Sequence, residues 1–292
     1  MSGSRLSGPV RGVLFIMASA VLFGIAPSLT AFSYAGGNNP VNMAFLRALL
    51  PLPLFLFLSR GSLPLLLKNA RGCALLGFLS FACTLMLYSS YAYLPVGIAT
   101  TVHFLYPLYV VLCEAAARRQ LPRPGTCAAL VLSLAGILLF MEGSASGGFL
   151  TGLLFAWLSG VLYAAYILAL DRRSGDLPLF PRLAGMSVAG ALLCGTSALL
   201  TGRFTLSLEP RAWAFTLLAI GMTAVAATSL FQEGVRLADG TQAALFSLFE
   251  PLTSILVTAL ISRSALSPAR LLGCVLILAG LGLHLLSERR SR

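Results

Sequence analysis

The chain has 292 residues, of which 58% are hydrophobic and only 10% charged, and it carries a formal net charge of +11. A soluble domain has about 25% charged residues, so a water-soluble globular fold is excluded and an all-α integral membrane protein is expected. The positive balance does not point to nucleic acid, because the cations sit in short segments between apolar runs, where they act as topology signals.

Crossing the hydrocarbon core takes about 20 apolar residues. Ten stretches meet that need: 12–33, 40–59, 72–93, 96–117, 124–141, 149–170, 180–201, 212–233, 240–262 and 268–286. Asn38-Asn39-Pro40 parts the first two, and the segment from Arg60 to Arg71 parts the next two. Leu94-Pro95 makes a tight turn, and Arg118-Arg119-Gln120-Leu121-Pro122-Arg123-Pro124 follows the fourth stretch. The remaining breaks are Glu142 to Gly148, Asp171 to Pro181, Gly202 to Arg211, Ala238-Asp239 and Arg263 to Pro268. Met1 to Pro9 is short and polar, and no small-residue cleavage site follows the first run, so that run is expected to be retained as a span.

Cation placement sets the expected orientation. With the N-terminus in the cytoplasm, the inner segments hold Arg5, Arg11, Arg60, Lys68, Arg71, Arg118, Arg119, Arg123, Arg172, Arg173, Arg182, Arg236, Arg289, Arg290 and Arg292. The outer loops hold Arg203, Arg211, Arg263 and Arg270, and Arg47 lies within a span. This positive-inside bias predicts a multi-pass membrane protein with both termini cytoplasmic; the bacterial inner membrane is the expected location. Six scattered cysteines (Cys73, Cys83, Cys113, Cys127, Cys194 and Cys274) show neither zinc nor redox spacing and read as small buried residues.

The two halves of the sequence match. At one constant offset Pro107 falls on Pro251, Pro124 on Pro268, and Leu134-Ala135-Gly136 on Leu278-Ala279-Gly280. Tyr91-Ala92-Tyr93-Leu94 corresponds to Gly234-Val235-Arg236-Leu237, with one residue inserted in the second turn. Residues 1–143 and 144–292 are thus expected to be two repeats of five helices. Five is odd, so the second repeat enters the membrane from the opposite side, giving ten transmembrane helices as two inverted five-helix repeats with a site near the midplane.

The order of motifs resembles the EamA family of the drug/metabolite transporter superfamily over nearly the whole chain. The residues that carry the resemblance in the first half are Phe23-Gly24 with Pro27, Phe45-Leu46-Arg47, Tyr91 through Ala99, Tyr106-Pro107-Leu108 and Leu134-Ala135-Gly136. In the second half they are Leu237-Ala238-Asp239-Gly240, Leu248-Phe249-Glu250-Pro251-Leu252 and Leu278-Ala279-Gly280. One departure stands out: Arg118-Arg119 and Arg263-Ser264 occupy the places where members often carry a Gly-Glu pair, and Glu114 lies about one turn earlier. The resemblance implies a secondary transporter that exports small organic metabolites such as amino acids.

Individual residues suggest how such a carrier works. Proline in a helix removes a hydrogen bond and clashes with the preceding turn, so Pro107 and Pro251 are expected hinges for alternating access. A charge inside a span is costly and a functional-site hypothesis by default. Glu250 is a candidate for a proton or a substrate ammonium, with a structural carboxylate as the competing reading. Arg47 would anchor a substrate carboxylate, or else bridge helices through Asn42 or an acid, or snorkel to the outer interface. His103, one turn before Pro107, is a candidate proton site or a hydrogen-bonded core histidine. Gln232 and Glu233 could line the inner vestibule, but ordinary interfacial solvation near Arg236 is the expected reading.

Tyr88 and Tyr91 share a helical face, as do Tyr163 and Tyr166. With Tyr106 and Trp157 they could line a cavity for a moderately apolar solute, or form ordinary packing. Ala135-Gly136 and Ala279-Gly280 are candidates for close helix packing, whereas Gly72/Leu76/Ser80 and Gly273/Ile277/Leu281 are too weak to locate an interface. Neither a metal cluster nor a nucleophile elbow nor a phosphate-binding loop is found in the sequence, so no cofactor and no enzyme activity are expected. The partners expected are a small-molecule substrate and membrane lipid, with a proton as candidate coupling ion; the oligomeric state is not legible. A polytopic membrane enzyme and a non-transporting membrane sensor are the other classes considered.

Overall fold

A computed structural model describes residues 8–94, 96–139, 148–262 and 267–290. Their regular structure is helical, with no strand among them. Among the described residues nine helices are long and apolar enough to cross a membrane, and Pro124–Leu138 is a shorter apolar helix. The ten elements are α1 (Gly8–Ala35), α2 (Pro40–Leu58), α3 (Ala70–Ser90), α4 (Val96–His103 and Tyr106–Arg118) and α5 (Pro124–Leu138). They continue as α6 (Phe149–Arg173), α7 (Leu179–Leu200), α8 (Pro210–Leu237), α9 (Gly240–Phe246 and Phe249–Ser262) and α10 (Pro268–Arg290). Each matches one expected stretch, and the chain is a multi-pass membrane protein. Pro95, the loop 140–147, Arg263-Ser264, Arg5 and Arg292 lie outside the described residues.

Local chemistry explains the boundaries. At the first turn Asn39 accepts from the backbone N–H of Asn42 at 2.9 Å, and Pro40 occupies the first helical position, where a missing N–H costs nothing. Asp239 caps α9 in the same way, accepting from Gln242 N–H at 2.7 Å. Four elements are less regular than the sequence suggests. α2 is interrupted just before Leu52, where Pro51 is the N-cap of the second piece. α4 breaks at Phe104-Leu105 and α9 at Ser247-Leu248, each immediately ahead of its proline. α8 widens into a π-helical segment over Gly221–Ala227, where the Thr228 hydroxyl donates to the carbonyl of Thr223 at 2.8 Å.

Helix pairing positions the centre of the molecule. α5 packs along α10, α2 on α7, and the second piece of α4 on the first piece of α9. α1 lies against α8 and α9, while α6 lies against α3 and α4. Small residues allow the closest approaches: a Cβ on Gly136 would stand 2.5 Å from the carbonyl oxygen of Gly273, and one on Gly280 2.8 Å from that of Ala129. The Ala-Gly pairs therefore do mark a helix interface. Gly273 and Ile277, too weak a signal in sequence, form the surface that Gly136 meets.

One half of the bundle is solid. Ile16, Val110, Val111, Ile167, Leu170, Val235 and Ala243 through Phe246 are buried in one cluster at the end where α1 begins and α8 finishes. There α1 and α8 meet backbone to backbone. A Cβ on Gly12 would be 2.7 Å from Ala238 N and 2.9 Å from Gly234 O, and one on Gly234 would be 3.0 Å from Gly12 O.

Candidate solute cavity

The other half of the bundle is hollow. A cavity of about 590 Å³ reaches from the middle of the molecule toward the end where α1 and α3 finish and α10 begins. Its α1 wall runs from Phe23 through Pro27 to Tyr34, and its α3 wall from Ser80 to Leu87 and Tyr88, with Tyr91 just beyond. Phe104, Tyr163, Tyr166 and Phe231 form the aromatic floor, beneath which the solid core begins.

Both helix breaks open onto this space. Pro107 and Pro251 sit in the first turn of the second pieces of their helices, where a missing N–H is tolerated, and each break falls just before. The carbonyl that Pro107 leaves without a helical donor is that of His103. It faces α6 at Gly160, where an added Cβ would stand 2.9 Å from that oxygen. At the other break the carbonyl that Pro251 leaves is that of Ser247, which accepts from the N–H of Glu250 at 2.9 Å. Just past it Gly24 of α1 packs so closely that a Cβ would stand 2.6 Å from the carbonyl oxygen of Glu250. At or just past each break, the helix thus packs against a glycine of a neighbouring helix.

Three ionisable groups expected from sequence do converge here: Arg47, His103 and Glu250 all line the cavity. Among the described residues Arg47 reaches neither Asn42 nor an acid; it donates to the Thr84 hydroxyl at 3.1 Å and lies over the Phe23 ring at 5.9 Å. Asn42 is engaged elsewhere, donating to Asn38 Oδ1 at 2.9 Å. Among the described residues Glu250 has no ion-pair partner, and it is the one carboxylate lining the cavity. His103 is 7% exposed and its Nδ1 lies 2.9 Å from the Ser159 hydroxyl. That hydroxyl spends its only proton on the carbonyl of Ala156 at 2.6 Å, so it must accept from His103. Nδ1 therefore carries a proton, which leaves Nε2 as the nitrogen free to exchange one.

The aromatic residues divide. Tyr88, Tyr91 and Tyr163 line the cavity, and the Tyr88 and Tyr91 rings lie 6.0 Å apart. Tyr106 is fully buried one layer behind, its ring 4.7 Å from Tyr163 and 5.4 Å from His103. Trp157 does not belong to the group: it is 46% exposed and absent from the cavity wall. The reason is helical phase, since six residues at about 100° each turn it well away from the face of Tyr163. Glu114 is also remote from the cavity, paired with Arg118 at 3.0 Å.

Sequence reasoning missed three residues. Gln232, expected to be solvated at an interface, is fully buried; only its neighbour Glu233 behaves as expected, pairing with Arg236 at 2.7 Å. Arg182, read as an inner topology signal, is 1% exposed and bonded to Gln232. Arg270, read as an outer-loop cation, lines the cavity. All three stand close to span ends in sequence, where charge is ordinarily solvated, and helix packing alone brings them inward. Among the described residues no cluster of histidine, cysteine or acid could hold a metal.

The comparisons agree with this architecture. The model of the EamA-like transporter family matches residues 10–141 and 150–286. The "uncharacterized inner membrane transporter YicL" of Salmonella typhimurium (strain LT2) is 26% identical over 304 aligned positions, covering 96% of this chain and 97% of that protein. The "aromatic amino acid exporter YddG" of Ancylobacter novellus is 28% identical over 209 positions, covering 67% and 69% respectively. A crystal structure at 21% identity superposes with a TM-score of 0.81 over 95% of this chain and 98% of its own, a likeness of fold. With the family model covering both halves of the sequence, the chain belongs to the EamA-like transporter family.

Proposed function

We propose that the protein is a secondary transporter of the inner membrane that exports small amphipathic metabolites, amino acids and aromatic amino acids first among them, by alternating access. The observation that carries this reading is the one-sided cavity: hollow and lined by Arg47, Glu250 and tyrosines on one side, sealed by Gly12 and Gly234 on the other. A cavity with both a cation and a carboxylate suits a zwitterion, and its aromatic floor suits an apolar side chain. The name of the YddG relative supports the aromatic class.

The repeats 1–143 and 144–292 act as inverted halves. Helix pairing supports this, because exchanging the halves maps α1 on α8 onto α6 on α3, and α1 on α9 onto α6 on α4. The pairs α2 with α7, α4 with α9 and α5 with α10 map onto themselves. α4 and α9 hinge at the breaks beside Pro107 and Pro251, which swing their outer pieces over the cavity while the inner seal opens. With both termini cytoplasmic, the conformation described is open toward the outside. A C-terminal reporter active only in the cytoplasm should therefore give full signal, and a periplasm-only reporter none; the reverse would invert the proposed orientation.

The test of the function is flux in proteoliposomes. Radiolabelled phenylalanine or tryptophan should cross at several times the rate seen in empty vesicles, with or without ATP. If neither these nor a broad panel of amino acids and drug-like cations moves above background, the carrier reading falls.

A further inference from the structure

Arg182, near the start of α7, is a fully buried cation with no carboxylate beside it among the described residues. One terminal nitrogen donates to the carbonyl of Ser174 at 2.7 Å, and the other has no partner. Its Nε donates to Gln232 Oε1 at 2.7 Å. A guanidinium has no acceptor, so this bond fixes which way the Gln232 amide points. The amide NH2 is then on the far side, where Nε2 stands 3.1 Å from the Tyr166 hydroxyl and 3.2 Å from the Met186 sulfur. An amide nitrogen only donates, so the Tyr166 oxygen accepts and keeps its own proton. Among the described residues nothing takes that proton, and Tyr166 lines the cavity floor.

We infer that Arg182, Gln232 and Tyr166 form a one-way donor chain that presents the Tyr166 hydroxyl to a carboxylate or other anionic oxygen of the solute. Every bond in the chain runs from the cation toward the cavity. A charged donor at its far end polarises the bonds between and strengthens the last one. Tyr166 is the binding group, while Gln232 and Arg182 are positioning residues. Because Arg182 is the source of the orientation, its charge acts on the solute without touching it. The inference rests on the reading of the cavity as an amino-acid site, and adds to Arg47 a second group that favours a carboxylate over its amide.

The experiment compares phenylalanine with phenylalaninamide, which keeps the ring and the amine but lacks the carboxylate. Affinities are measured from ligand-induced shifts in melting temperature of the purified full chain. Wild type should bind phenylalanine about tenfold more tightly than the amide, the scale of one hydrogen bond to a charged group. Tyr166→Phe keeps the ring and removes the donor, and should shrink that difference by weakening phenylalanine more than the amide, whose carbonyl accepts a weaker hydrogen bond. Gln232→Glu gives Arg182 a counter-ion but cannot donate, so the Tyr166 proton turns toward it and the same loss is expected. Should Gln232→Glu fail to yield folded protein, Tyr166→Phe decides. If wild type binds both solutes and Tyr166→Phe weakens both equally or neither, the donor chain is overturned while the amino-acid reading stands. If wild type binds neither, the amino-acid reading falls and takes the inference with it.

Discussion

Glu250→Gln should abolish proton-driven accumulation while solute exchange persists, at reduced affinity for the solute ammonium. Glu250 is the carboxylate in the cavity wall, it has no ion-pair partner among the described residues, and its own backbone is clamped against Gly24 beside the break in α9. A group so placed can take a proton from the acidic side and release it on the other as α9 moves. With one proton exchanged per solute, a gradient of one pH unit supports about tenfold accumulation. The amide is isosteric and cannot ionise, so the gradient should have no effect on the variant. The measurement is labelled phenylalanine in proteoliposomes with the opposite face acidified, alongside counterflow without a gradient. PH-dependent accumulation that survives the substitution would remove Glu250 from the coupling role.

The second large effect is expected at Gly12. Its contacts in the sealed half are backbone atoms of Gly234 and Ala238, which cannot rotate aside. Gly12→Val should therefore wedge α1 away from α8 and destabilise the conformation proposed to be open to the outside. Overpacking costs about 1–3 kcal/mol, enough to move a two-state equilibrium by about 5–150-fold. In a variant with the six native cysteines replaced, Thr30→Cys on the outer wall reports access. Adding Gly12→Val should slow its reaction with an impermeant maleimide applied outside at least fivefold. Unchanged labelling, with the protein still folded, would show that Gly12 does not hold the inner seal.

How much of this was legible beforehand depends on what kind of information each feature needs. Span positions follow from runs of apolar residues, and all ten expected stretches correspond to helices. The breaks in α4 and α9 follow from Pro107 and Pro251, because proline acts locally. Arg47, His103 and Glu250 stood out because a polar group deep in an apolar run requires a reason. Facing is another matter. Residue type and helix group Trp157 with the tyrosines, yet helical phase turns it outward. Gln232 and Arg182 are fifty residues apart and near the ends of their helices, so nothing local tells that each is the other's partner. The Gly273 and Ile277 surface was likewise invisible until Gly136 lay against it.

The presence of one carboxylate in the cavity wall has an electrical consequence. A zwitterionic solute carries no net charge, whereas the proton returning on Glu250 carries one. Under the proposed coupling each cycle therefore moves a single positive charge inward, and the transporter is electrogenic. Membrane voltage then contributes about 2.3 kcal/mol per 100 mV, an additional factor of about 50 in the export ratio. A cell with a strong membrane potential and no pH gradient would still drive export. Solid-supported membranes carrying the reconstituted protein should register a transient current on addition of solute, with a sign set by the proton and not by the solute.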